Sequence, residues 1–200
     1  MPKADRTKQY IIEKAATIFN LKGFAGTSMD DIIKATGLSK GGVYGNFNSK
    51  EDIALAAFEH AVQRVSKQVR ERTRVIDHTL DKLKAVVYFY KERILDPPIE
   101  GGCPIQNTAI DADDSNPALR KRVIAALEEW QERIVYTLEK GKERGEVRHS
   151  ADSRLFATQF IGTLEGGIML AQLYKDVHYF DAMAQQLLAM IQDLRPTFKK

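Results

Sequence analysis

The sequence predicts an all-α fold in two units, on three observations. Apolar residues recur at helical spacing along nearly the whole chain, and no run of alternating polarity competes with them. Cap and breaker residues cut the first fifty-odd positions into four short elements and leave longer helices beyond. Charge divides the same way: residues 1–50 carry eight Lys and Arg against four Asp and Glu, and the rest is close to neutral within an overall +3. A basic head on a neutral body points to a polyanion, nucleic acid before membrane; chance asymmetry on a solvated surface is the alternative.

The elements follow in order. Asp5 is placed to cap a first helix through about Leu21, with Ile11, Ile12, Ala15, Ile18 and Phe19 at helical spacing. KGFAGTS then breaks it. Thr27 or Ser28 opens a short second helix whose first turn holds Asp30 and Asp31, where carboxylates suit the positive helix end. Gly37 ends it, and Ser39 opens a third that stops near Phe47. Ser49 opens a fourth, with Asp52 in capping-box position, running to about Thr73. Pro98 and Gly101-Gly102 mark a long loop, and Pro117 starts a long helix reaching about Arg144. After RGEVRHS come two last helices, about Asp152–Lys175 and Tyr179–Leu194.

Composition narrows the class. Hydrophobic residues make up 44% and charged residues 28%, a globular balance that argues against disorder. The most apolar run, LFATQFIGTLEGGIMLAQLY, is interrupted by Gln159, Glu165 and Gln172 and reads as a buried helix, so no membrane partner is expected. MPKADRTKQY has no apolar signal core, and one cysteine cannot make an internal disulfide; both fit a reducing cytoplasm.

The stretch TGLSKGGVYGNFNSKED gathers Gly41, Gly42 and Gly45 beside Lys40. A Walker loop needs Gly, four residues and Gly-Lys-Ser/Thr after a strand; this stretch has neither, and GxGxxG is absent as well. Helix–turn–helix fits better: a helix, a glycine stop, the apolar turn residue Leu38, a serine cap and a second helix. Ile32, Ile33, Leu38, Val43 and Phe47 can form the small core that fixes the crossing angle. The start of such a second helix meets base edges in the major groove, and glycines let the backbone come close. A structural turn with no ligand is the alternative. Lys50, at the first position of a helix capped by Ser49, adds charge to exposed N–H groups, which suits a phosphate; Glu51 and Asp52 weaken that field.

TSMDDIIKATGLSKGGVYGNFNSKEDIALAAF resembles the DNA-binding head of the TetR-type (tetracycline-repressor-like) transcriptional regulators. The resemblance covers roughly residues 5–60; the rest matches in helical architecture and length. It implies a three-helix helix-turn-helix head, residues 1–50, fused to a larger helical ligand-binding and dimerisation body, residues 51–200. It further implies a homodimer that binds double-stranded operator DNA and releases it to a small-molecule inducer of unknown identity, with no cofactor. Thr27, Tyr44 and Lys50 are then phosphate contacts, and Ser39, Lys40, Gly41 and Gly42 form the groove-facing start of the recognition helix. Asn46 stands where the family often has histidine, and its amide can still donate to phosphate. Gly45 replaces a residue that is often bulky, so direct base reading rests heavily on Lys40.

In the body, Phe89, Tyr90, Trp130, Phe156 and Phe160 fall on plausible inward faces, as cavity walls or plain core. Gln159 among apolar neighbours, and Gln106 and Asn107 beside Cys103, are polar groups of the kind that orient a small ligand. Pro104 suits the first position of a helix, which places Cys103 at its N-cap. There it is either a thiol sensing electrophiles or oxidants, or a small buried apolar residue. Gly162 and Gly166, four apart with Gly167 beside them, allow close helix approach within the chain or across a dimer. The resemblance puts the dimer seam on the last two helices, with Gly166, Met169, Leu170, Leu187 and Ile191 as candidates.

Catalysis finds little support. His60, His78, His149 and His178 are scattered without metal spacing, and neither GxSxG nor HExxH occurs. A helical small-molecule or thiol-redox sensor that does not bind DNA is the remaining rival.

Overall fold

The computed structural model describes residues 3–112 and 116–196, and among them every regular element is a helix. The order is α1 (Lys3–Lys22), α2 (Met29–Thr36), α3 (Lys40–Tyr44), α4 (Lys50–Thr73), α5 (Thr79–Arg93), α6 (Pro104–Ala112), α7 (Pro117–Glu143), α8 (Ser153–Tyr174) and α9 (Val177–Gln192). Among the described residues, no helix is long and apolar enough to cross a membrane. The chain forms two compact units, residues 1–65 with 98–126, and residues 66–97 with 127–200.

The first unit condenses on a core of Ile11, Ala15, Ile32, Val43, Phe47 and Ile53, with Ile33 and Leu38 packed against it. The helix-turn-helix pattern therefore buries Ile32, Val43 and Phe47 of the residues its spacing selected and half-buries Ile33 and Leu38. Ser28, not Thr27, caps α2. Its hydroxyl accepts the Asp31 amide at 3.1 Å, while an Asp31 oxygen accepts the Ser28 amide at 2.9 Å, a reciprocal box. Gly37 closes the helix in the left-handed region at φ 65°, donating to the Ile33 carbonyl at 3.0 Å. Ser39 caps α3 through the Gly42 amide at 3.1 Å, and α3 stops at Tyr44, earlier than expected. Ser49 caps the start of α4 through the Asp52 amide at 3.0 Å.

The second unit has α8 and α9 against each other with Leu164, Ile168, Phe180, Leu187 and Ile191 inside. Gly167 permits the approach: a Cβ there meets Met183 Cβ at 2.9 Å. Asp152 and Asp176 cap these helices. Polar contacts then fix the register of α5, α7, α8 and α9. Glu146 accepts the Thr79 amide at 2.7 Å, Lys91 pairs with Asp181 at 2.9 Å, Gln131 donates to Thr158 at 2.7 Å, and Gln172 donates to the Ile94 carbonyl.

The Ser28 hydroxyl and amide, helped by Lys22 at 2.9 Å, hold Asp31 well below the ordinary carboxylate value of 3.8. A depressed carboxylate contributes stability that is complete above its unfolded pKa and is lost as pH falls through the folded one. An Asp31→Asn variant is therefore expected to show less acid-induced loss of stability below about pH 4 than wild type, measured by urea titration across pH.

Candidate nucleic-acid interface

The outer face of the first unit carries most of the polar groups that the sequence assigned to DNA. Ser39, Lys40 and Gly41 are exposed at the start of α3, and Gly42 is half-buried. Tyr44 is 42% exposed one turn on, with the Lys40 ammonium 5.8 Å from its ring centre. The Asn46 side chain donates one N–H to the Gly42 carbonyl at 2.8 Å and so fastens the end of the short helix. A carboxamide has a second N–H to offer.

The glycines separate by function. A Cβ on Gly41 meets nothing within 4 Å, and its φ is not in the left-handed region. The fold does not require glycine there. At Gly45 a Cβ comes within 3.0 Å of the Gly41 carbonyl, and at Gly42 within 3.3 Å of the Ser39 hydroxyl.

Thr27 and Lys50 depart from expectation. Thr27 is 1% exposed and its hydroxyl donates to the Gly23 carbonyl at 2.7 Å, so its side chain holds the turn and is not offered to a phosphate. Lys50 reaches back from α4 to the same turn, donating to the Phe24 and Thr27 carbonyls at 2.8 and 2.9 Å. The Phe24 amide is taken by the Asp111 carboxylate of α6.

The expected inducer residues fall in different settings. Asn107, expected to line a cavity, is used as a clasp. Its side chain donates to Gly101 O at 2.8 Å and to Asn20 O and Oδ1 at 3.1 and 3.2 Å, while the Asn20 side chain donates to Glu100 O at 2.8 Å and Gly102 O at 3.3 Å. Gln106 is half-buried on the same helix. Cys103 precedes α6 as expected and is buried, the setting of an inert thiol more than of a reactive one. A crevice beside the clasp, lined by Phe19, Asn20, Phe24, Phe58, Asn107 and Asp111, measures about 20 Å³, room for roughly one water.

In the second unit, Phe89 and Phe160 are buried and Trp130 is half-buried; Tyr90 stacks on Trp130 at 6.5 Å and meets Phe89 edge-on at 5.3 Å. Gln159 is corrected: it faces solvent, because it lies on the outward side of α8. Glu165, which the sequence reading used only as a break in the apolar run, is 9% exposed and is the one buried charged residue among those described. A lone carboxylate inside GTLEGGIML was the signal for it. Asn20 and Asp111 were missed as well, since these partners lie eighty or more residues away.

The proposed seam residues also divide. Leu187 and Ile191 are 0% exposed in the chain's own core, which removes them from any contact surface. Gly166 and Leu170 are partly exposed and Met169 is 45% exposed, on a face of α8 that continues through Leu155, Gly162 and Leu173.

Loss of the Asn107 side chain leaves three carbonyl oxygens, Asn20 O, Asn20 Oδ1 and Gly101 O, short of a partner, each such group costing about 1–3 kcal/mol. Asn107→Ala is expected to lower unfolding free energy by about 2 kcal/mol in chemical denaturation.

Comparison with known proteins accords with this architecture. Residues 11–57 match the family model for bacterial regulatory proteins of the tetR family, and residues 79–187 match the tetracyclin repressor-like C-terminal domain. A TetR transcriptional regulator from Chloroflexus aurantiacus is 40% identical, with a TM-score of 0.92 over 96% of this chain and 97% of that one. A TetR-family regulator from Cytophaga hutchinsonii is 34% identical, with a TM-score of 0.90 over 100% and 99%. The HTH-type transcriptional repressor DhaR of Mycobacterium sp. (strain GP1) is 23% identical over 95% of this chain and 93% of its own. With both family models matched in order and the helix-turn-helix intact, the chain belongs to the TetR family of DNA-binding transcriptional regulators.

Proposed function

We propose that the protein is a cytoplasmic homodimeric repressor, not an enzyme, that leaves a palindromic operator when a small-molecule inducer binds its body. The observation that carries the DNA-contact assignment is Gly41, exposed at the start of α3 with open space where a side chain would stand. Glycine there weakens the helix by roughly 0.5–1 kcal/mol relative to alanine, and the fold gains nothing in return. Close approach to the major groove accounts for it. Ser39, Lys40 and Gly42 flank that approach, and Tyr44 and Asn46 reach phosphates from the same helix and its exit. Two such heads about 34–36 Å apart read a palindrome one helical turn long.

The curated relative named as a repressor supports the sign of regulation. The inducer's walls are assigned to Phe89, Tyr90, Trp130 and Phe160, with Glu165 as the buried polar group that orients it. The homodimer is assigned to the outward stripe of α8. Leu155, Gln159, Gly162, Gly166, Met169 and Leu173 recur there at alternating four- and three-residue steps, a spacing suited to helix pairing.

Two measurements test this reading. In fluorescence anisotropy with the protein's own upstream DNA, Gly41→Ala is expected to bind about 1–3 kcal/mol more weakly while unfolding at higher denaturant. Equal binding by that variant removes the close-approach assignment, and no binding by wild type favours a sensor that does not touch DNA. Met169→Glu is expected to shift the mass in sedimentation from dimer towards monomer; a dimer of unchanged affinity rules out this face as the seam.

A further inference from the structure

We propose that Asp111 of α6 is a positioning residue for DNA binding: its carboxylate holds the turn between α1 and α2 and so sets how α2 and α3 are presented to the operator. Asp111 stands in the last turn of α6, where a carboxylate meets the negative end of the helix and is disfavoured by it. Its reason for being there lies across the unit. One carboxylate oxygen accepts the Phe24 amide, 87 residues earlier in the chain. Phe24 falls between α1 and α2, at a break where backbone amides need partners from elsewhere. Gly23 is fitted to the same contact. It takes φ 71°, and a Cβ there would come within 2.7 Å of Asp111 Oδ1 and 2.9 Å of its Cγ. Glycine alone meets both the left-handed backbone and so close an approach.

The held turn leads directly into the helix-turn-helix. The Gly23 amide closes α1 on the Phe19 carbonyl at 2.9 Å, and the Gly23 carbonyl accepts the Thr27 hydroxyl at 2.7 Å. Only Ser28, the cap of α2, then separates the turn from that helix. Ile32 of α2 shares one core with Val43 of α3 and with Phe47, so a tilt of α2 carries α3 with it. Charge gives the proposal a sign. A carboxylate in a unit that binds a polyanion opposes binding through its field. Removing it strengthens binding if the charge alone counts, and weakens binding if the turn depends on the bond.

The inference rests on the DNA-binding reading. Asparagine at 111 keeps an acceptor oxygen and drops the charge, whereas alanine drops both. Binding is measured with the protein's own upstream DNA at a temperature where circular dichroism shows each variant folded. Asp111→Ala is expected to bind about tenfold more weakly than wild type, as for a lost charged hydrogen bond, and Asp111→Asn at least as tightly as wild type. Gly23→Ala, which displaces the carboxylate without removing it, is expected to bind as weakly as Asp111→Ala. Wild-type affinity in either alanine variant, or an asparagine variant as weak as Asp111→Ala, overturns the proposal. Amide exchange in the free protein supplies the arm that needs no DNA. Phe24 is expected to exchange faster in Asp111→Ala and at the wild-type rate in Asp111→Asn; no acceleration in Asp111→Ala also overturns the proposal. If wild type binds no DNA, the DNA-binding reading fails by itself, and the Phe24 exchange rates still decide whether Asp111 holds the turn.

Discussion

The first unit depends on one turn, residues 23–27, and on how its backbone groups are satisfied. A break between two helices strands amides and carbonyls that cost free energy if buried without partners. Here the Phe24 amide goes to the Asp111 carboxylate of α6, the Phe24 and Thr27 carbonyls to the Lys50 ammonium of α4, and the Gly23 carbonyl to the Thr27 hydroxyl. Two parts of the chain that are distant in sequence, α4 and α6, converge on these five residues. The orientation of α2, and through it that of α3, follows from this convergence, because only Ser28 separates the end of the turn from the start of α2.

This arrangement also explains why α6 belongs with the head by contact, although it lies some fifty residues beyond α4's start. The amide pair of Asn20 and Asn107 joins the end of α1 to the loop before α6, and Ile99 from that loop enters the head's apolar core. Any change that moves α6 must therefore act on α1 and on the turn together. A regulator needs such a joint, since an effector alters DNA affinity only if it stabilises one arrangement of the head over another.

Local signals were legible in the sequence, and distant pairings were not. Serine caps at 28, 39 and 49 and the glycine stop at 37 act within a few residues, so residue type and spacing reveal them. Apolar periodicity likewise found Ile32, Val43 and Phe47. Lys50 was legible only in part: its position, at a capped helix start, is the usual setting of an anion site. Nothing local says that its ammonium also donates to two carbonyls twenty-odd residues earlier. Leu187 and Ile191 misled for a related reason: apolar periodicity marks a buried face but not whether the covering surface belongs to the same chain.

The Asn20–Asn107 clasp has a further consequence. It consists of neutral amides and carbonyls in a partly buried setting, so neither counterions nor protons in the physiological range compete for it. Contacts to a DNA backbone respond in the opposite way, weakening steeply as ions accumulate. Raising the salt concentration therefore weakens contacts to a DNA backbone while the joint between α1 and α6 keeps its strength. The two kinds of contact answer differently to ions because of the kind of hydrogen bond each one uses.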